Sequence, residues 1–516
     1  MVKRLIAAAL PLALGACTMG PNFEPPEWLS PASWFAKKAE PISPPPSIPV
    51  AEPIDPNWWN LVKDPVLTGL ERRVAGENLD VQVATARLAE SRAQLGVVGS
   101  VQFPNLNGNG SYTRQKASDV GVFANAPNAL GANGASGSNT SGTNSTTGGI
   151  RGTHFHPFDV YQVGFDASWE VDLWGRVSRS VESASASVAA SAEARRATLL
   201  SSLAELARDY VQLRGTQALL KIAHDNVRTA QQSLDLTQQR AAGGVTTDLD
   251  VANAAAQLRT TAAEIPRLEQ QESEFINAIS LLLGQPPNAL QAELIDPKPI
   301  PPVPPRVPVG LPSELARRRP DIRQAEAQLH AATADIGVAV ADFYPSVKLT
   351  GSIGLQSVQP WTMFNLDAGN YAAGPGITIP IFEGGRLKAT LALRQAQQQE
   401  SAIDYQKTVL SAWHDVDNAL TAYQTEQSRR DQLVQAVAQN QRALGLAQSR
   451  YQEGVADFLQ VLTAQQNLLS TQQQLALATT NVSANLVALY KALGGGWETQ
   501  LPAANDDLSP IGAPHL

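Results

Sequence analysis

The run Tyr161-Gln162-Val163-Gly164-Phe165-Asp166-Ala167-Ser168-Trp169-Glu170-Val171-Asp172-Leu173 puts an apolar side chain at every odd position and a polar side chain or glycine at every even one. Such unbroken period-two patterning predicts a strand with one apolar and one polar face. At about 3.4 Å per residue it is roughly 40 Å long, enough to cross a bilayer at a tilt. A strand of a soluble sandwich typically has about 5–6 residues, half this length.

Further on, Val347, Leu349, Ile353 and Leu355 alternate with Lys348, Thr350, Ser352 and Gln356. Weaker alternation covers Leu106 to Thr113 and Tyr371 to Ile381. Four strands are expected, at about 104–115, 160–173, 346–357 and 371–382. Four strands leave two open edges, and unpaired backbone groups in hydrocarbon cost several kcal/mol each. Spanning barrels start at about eight strands, so this chain is expected to pool strands with other copies of itself.

The strands recur because the chain repeats. Arg240, Gly244, Val245 and Leu249 return as Arg450, Gly454, Val455 and Leu459, 210 positions on. Tyr161, Gly164, Gly175 and Arg176 return at the same offset as Tyr371, Gly374, Gly385 and Arg386. Asp80, Gly96 and Pro104 return as Asp321, Gly337 and Pro345, 241 positions on. The first copy therefore holds 31 extra residues, and Ala117 to Thr153, dominated by Gly, Ala, Asn, Ser and Thr, is where they lie. That composition cannot order a core and predicts a long exposed loop. Repeat one is assigned to 58–290, a Pro-rich linker to 291–312, repeat two to 313–497 and a tail to 498–516.

Helix follows each strand pair. Leu199, Leu203, Leu206, Tyr210 and Leu213 form a heptad seam, and Val409, Trp413, Val416, Leu420 and Tyr423 keep the same spacing. Val177 to Ala242 contains no proline and predicts a rod of roughly 99 Å. Shorter helices are expected from about Thr246 to Leu283 and from Glu77 to Ser100, with a kink at Pro266. The junctions Leu173-Trp174-Gly175-Arg176 and Phe382-Glu383-Gly384-Gly385-Arg386 join strand to helix, glycine permitting the turn.

The chain has 516 residues, 17% of them charged, and a net charge of −8. That balance gives no electrostatic footprint for nucleic acid. Its one cysteine, Cys17, excludes an intrachain disulfide. Lys3 and Arg4 precede an apolar run that ends in Leu14-Gly15-Ala16-Cys17, an export signal over 1–16 rather than a membrane span. Leu-Gly-Ala-Cys resembles a bacterial lipoprotein box, which makes Cys17 the lipid-bearing first residue. The alternative is an ordinary signal with an incidental cysteine. Residues 17–57, rich in proline, are expected to form an extended tether.

In combination these segments resemble the lipoprotein branch of the TolC-like outer-membrane factors. The residues that carry the resemblance are Cys17-Thr18-Met19-Gly20-Pro21-Asn22-Phe23, Trp169-Glu170-Val171-Asp172-Leu173-Trp174-Gly175-Arg176 and Arg318-Arg319-Pro320-Asp321-Ile322. Phe343-Tyr344-Pro345, Pro380-Ile381-Phe382-Glu383-Gly384-Gly385-Arg386 and Arg450-Tyr451-Gln452-Glu453-Gly454 complete them. The resemblance implies an α+β membrane protein: a homotrimer with a 12-stranded transmembrane β-barrel, four strands per chain, continuing into a long periplasmic α-helical barrel. It also implies lipid anchoring in the outer membrane, a periplasmic adaptor (membrane-fusion) protein and an inner-membrane RND-type pump that expels drugs, solvents or metals.

By the same resemblance, the hairpin tips Arg240, Gly244, Val245, Arg450, Tyr451, Gly454 and Val455 are the adaptor-docking surface. The residue-level alternative is a glycine cap in a helical hairpin. Asp248, Asp250, Asp457, Leu459 and Thr463 are candidate aperture residues. Three symmetry-related carboxylates near one axis would repel; first-turn acids favoured by the helix dipole are the simpler account. Thr463 stands where many relatives carry an acid, and Gln466 where close relatives carry an arginine, so a salt-bridged latch is expected to be absent or rebuilt. His154 and His156 lack a third ligand for a metal. The glycine-rich loop lacks the Gly-Lys-Ser/Thr of a phosphate cradle. No catalytic constellation, metal site or cofactor site is expected. The reading is a passive exit duct of an efflux system. Alternatives are the exit channel of a type I protein-secretion system and a structural coiled-coil lipoprotein that does not conduct.

Overall fold

A computed structural model of the chain describes residues 18–26, 47–116 and 156–498. Cys17, the glycine-rich loop, His154 and residues 499–516 lie outside the described residues. In chain order the elements are β1 Ile48–Val50, α1 Pro65–Glu77, α2 Leu79–Gly99, β2 Asn105–Gln115, β3 Phe158–Val171, α3 Arg176–Ala242 and α4 Asp248–Leu282. They continue with α5 Gln291–Leu294, β4 Arg306–Pro308, α6 Leu315–Arg318, α7 Pro320–Ala341, β5 Ser346–Ser357, β6 Gly369–Thr378, α8 Arg386–Gln452 and α9 Phe458–Ala492. The long helices α3 and α8 have 67 residues each, and α4 and α9 have 35 each.

The chain divides into two compact units: Met1–Pro21, Gly96–Val181 and Asp335–Leu393 form one, the remaining segments the other. The first holds a four-stranded antiparallel sheet in the order β2-β3-β5-β6. Two strand limits differ from expectation. β3 runs Phe158–Val171 rather than 160–173, because the Asp172 carboxylate turns back to cap the helix that follows. β6 runs Gly369–Thr378 rather than 371–382, stopping before Pro380, which has no N–H to offer a ladder.

The second unit has a helical core. Leu199, Leu203, Leu206, Tyr210 and Leu213 of α3 are buried, as are Val409, Val416, Leu420 and Tyr423 of α8. Trp413 is only partly buried; Ala412 beside it is the fully buried residue there. The helix expected at 77–100 is α2, and a further helix, α1, precedes it. α1 is capped by Asp64, whose Oδ1 accepts from Val66 N (2.9 Å) and Leu67 N (3.2 Å), with Pro65 pre-set at the first helical position. Pro266 lies inside α4 without ending it.

The expected tether and linker are corrected in part. β1 pairs in parallel with β4, so residues 48–50 and 306–308 form a small sheet rather than free chain. Ser47 is fully buried at its edge. It donates to the Pro304 carbonyl and accepts from the Tyr423 hydroxyl at 2.7 Å, while Gln427 Nε2 donates to its carbonyl at 3.2 Å. Burial pushes the Tyr423 hydroxyl up to about 12, keeping that donor protonated. Bonds from three separate segments to one buried residue favour a single register. Gln291–Leu294 of the linker is helical. The linker is also gripped by the fully buried Arg214, which donates to the Asp296 (2.8 Å) and Leu294 (3.2 Å) carbonyls and to Gln217 Oε1 (2.6 Å).

Candidate functional site

Three places carry the candidate residues: the sheet, the strand–helix junctions and the hairpin tips. In the sheet, directly opposite residues share a face. Phe165 lies opposite Gly108 and Ile353, and Ile353 lies opposite Tyr371. Trp169 lies opposite Leu349, itself opposite Pro375. One step along, Asp166 faces Asn107 and Ser352, Ser168 faces Asn105 and Thr350, and Glu170 faces Lys348. The alternation read along β3 thus extends across the sheet as one apolar and one polar face. On the polar face Asn109 donates to Asp166, and Asn370 Nδ2 to Gln356 Oε1 at 3.3 Å.

At the first junction Gly175 has φ +80°, and a Cβ there would lie 2.8 Å from the Thr18 Cα. Only glycine fits both the backbone and the approach. The Asp172 carboxylate accepts from Val177 N (3.1 Å), Ser178 N (2.7 Å) and Ser178 Oγ (2.6 Å), so the end of the strand caps the start of α3. Trp174 Nε1 donates to the Pro345 carbonyl at 2.9 Å and its ring stacks on Tyr344 at 4.9 Å. At the second junction Gly384 and Gly385 have φ +58° and +89°, and Glu383 pairs with Arg386.

The segment just after Cys17 is docked at the first junction. Met19 N donates to the Trp174 carbonyl at 3.1 Å, and Arg179 Nε donates to the Met19 carbonyl at 3.2 Å. Gly20 approaches Gly337 so closely that a Cβ would lie 2.6 Å from its Cα. Phe23 stacks on His330 with ring centroids 4.5 Å apart. This part of the expected tether is a strap.

At the tips, Gly244 (φ +71°) and Gly454 (φ +78°) end α3 and α8. Val245 N reaches the Arg240 carbonyl (2.9 Å) and Val455 N the Arg450 carbonyl (3.0 Å), the six-to-one bond of a Schellman cap. Val245 is 64% exposed and Val455 62%. Leu249 and Leu459 follow them, also exposed. The two hairpins are tied together. The Arg240 guanidinium lies 4.7 Å over the Tyr451 ring and Nη1 donates to the Gln452 carbonyl at 3.0 Å. Tyr451 in turn meets Phe458 at 5.5 Å, and both rings are buried.

The aperture candidates scatter. Asp250 accepts from Thr246 and, at 3.3 Å, from Thr247, within its own first turn. Asp248 opens α4, and Asp457 is the extended residue before α9. Thr463 donates to the Leu459 carbonyl at 2.8 Å, bonding back along its own helix. Gln466 Nε2 donates to Gln257 Oε1 at 3.0 Å, a neutral link between α9 and α4.

The profile of the family described as "Outer membrane efflux protein" matches residues 71–285 and 311–495. The chain belongs to this family. It is 32% identical over 515 residues to "Probable efflux pump outer membrane protein TtgC" of Pseudomonas putida, covering 99% of each chain. It is 30% identical to "Probable outer membrane lipoprotein SilC" of Salmonella typhimurium over 86% of this chain and 88% of that one. The solved outer-membrane channel OprN superposes with a TM-score of 0.82 at 33% identity, over 93% of this chain and all of that one. As a family member the protein resides in the outer membrane and serves as an efflux exit duct.

Within this efflux protein the structure brings Arg240, Tyr451 and Gln452 together but leaves Arg450 exposed. Phe458, Tyr451's buried neighbour, escaped the sequence reading. A signal existed: 210 positions earlier, Phe458 corresponds to Asp248 and Tyr451 to Ala241. Here the change of residue type between the copies coincides with the Tyr451–Phe458 contact.

Proposed function

We propose that three copies of this chain close a 12-stranded barrel across the outer membrane. The observation that carries this is the division of the sheet into one apolar and one polar face across all four strands. An apolar outer surface suits acyl chains and a polar lining suits water. Tyr112 and Tyr161 lie toward one end of the sheet and Trp169 toward the other, in keeping with aromatic girdles at the two interfaces. Helices α3, α4, α8 and α9 form a periplasmic helical barrel. Their tips, with Val245 and Val455 outermost, dock a periplasmic adaptor that links the duct to an inner-membrane RND-type pump. The duct is passive; the pump supplies energy and most of the selectivity among small molecules.

Purified protein in a planar bilayer gives discrete conductance steps. A silent bilayer containing folded trimer overturns the reading. Cys17 carries the lipid anchor: Cys17→Ser removes acylation, read as a mass loss of the mature chain, and leaves the trimer intact. Loss of the trimer in that variant would show that the anchor also assembles the protein.

A further inference from the structure

Among the described residues the outer edges of β2 and β6 have no strand partner. These are the edges the trimeric reading brings together, so the inference rests on that reading. The chain also contains a template for the missing pair. β5 matches β2 at the 241 offset and β6 matches β3 at the 210 offset, so the seam between β6 and the next copy's β2 corresponds to the internal pair β3–β5. There, Ala167 faces Gly351 and Trp169 faces Leu349. Carried over by the two offsets, Ile377 faces Gly110 and Ile379 faces Gly108 of a second copy.

Side-chain size supports this register. Ile377 and Ile379 are 65% and 56% exposed, bulky residues with nothing over them. Gly108 and Gly110 stand on the same apolar face, and neither has positive φ. A Cβ at Gly110 would meet nothing closer than 3.9 Å in its own protomer, and one at Gly108 nothing closer than 3.4 Å. The fold of one protomer therefore does not demand glycine at either place. A second copy laying isoleucines over them does. We infer that subunits join along a seam in which Ile377 of β6 and Ile379 just past its end seat on Gly110 and Gly108 of the next copy's β2. The same register places Thr378 opposite Asn109 on the polar face.

Backbone chemistry identifies the pair that a cross-link can read. Pro375 has no N–H, so its backbone cannot exchange paired bonds with Leu349 and is aimed at the open edge. Bonding sites alternate along a strand, so Thr378 is aimed inward and is a non-bonded position at the seam, where opposed Cβ atoms lie closest. The full-length chain carrying Thr378→Cys and Asn109→Cys, purified as a trimer and mildly oxidised, is expected to give disulfide-linked oligomers on denaturing gels. Either single variant stays monomeric there. Thr378→Cys with Asn107→Cys or with Ser111→Cys, each a two-residue slip that keeps the faces, does not link. Linkage at a slipped pair, or at none of the three in a chain that still elutes as a trimer, overturns the register. A wild-type chain that elutes as a monomer overturns the trimeric reading itself. As a second arm, Gly110→Ile blocks trimer formation and Gly110→Ile with Ile377→Gly restores it. A fully assembled Gly110→Ile trimer counts against the seam.

Discussion

Single residues show what each hairpin and core contact depends on. Glu71 is fully buried on α1, both carboxyl oxygens lack a hydrogen-bond partner among the described residues, and burial raises its pKa well above 4.5. The folded state therefore keeps a proton that the unfolded chain releases above about pH 4.5. Stability is fully present below that value and falls as pH rises toward the folded pKa. Glu71→Gln, neutral throughout, is expected to match the wild type at about pH 4 and exceed it at about pH 8 in chemical denaturation; identical curves at the higher pH would refute the buried neutral acid. At the tip, Arg240→Ala removes the stacking on Tyr451 and the bond to the Gln452 carbonyl, about 1–2 kcal/mol together. Hydrogen exchange at Gln452 through Val455 is expected to quicken while the core around Leu206 keeps its protection.

Elements differ in how plainly the sequence announces them. β3 and β5 were legible because each carries one apolar and one polar face, which writes the period into the residues. β6 was less so: Ala373, Gly374 and Gly376 carry little contrast, and Pro380 cut its end short. The long helices showed in proline-free heptads. β1 did not show, since three residues centred on Pro49 have no period and are held through the neighbouring Ser47 by Tyr423 and Gln427 far along the chain. Among site residues, glycine caps were readable from sequence, whereas Arg240's contact with Tyr451 joins positions 211 apart and required the fold. The faces of β3 give a test at this scale. Phe165→Lys places a charge on the apolar face and costs about 2–4 kcal/mol near mid-membrane. Asp166→Lys, one residue along, points to the polar side. Heat-modifiable trimer on gels is expected to fall sharply for the first and little for the second; equal losses would contradict the assignment of faces.

For the whole molecule the question is what holds the duct shut. Asp250 is bonded to Thr246 and Thr247 in its own turn, whereas Asp248 has no such side-chain bond among the described residues. If the tips converge on one axis, Asp248→Ala and Asp250→Ala together relieve like-charge crowding and remove a first-turn cap. Leak conductance and antibiotic sensitivity of cells are both expected to rise several-fold. Unchanged values for both would reduce the two acids to helix caps. Near Leu459 the neutral Gln466–Gln257 bond joins α9 to α4, and the Arg240 stack on Tyr451 joins the two hairpins.

The strap formed by Thr18, Met19 and Gly20 imposes an order on biogenesis. Those residues cannot be threaded through processing and sorting machinery while they lie against Trp174, Arg179 and Gly337. On the proposed acylation of Cys17, the enzymes that act there are expected to reach it before the neighbouring Thr18–Gly20 segment docks at the junction.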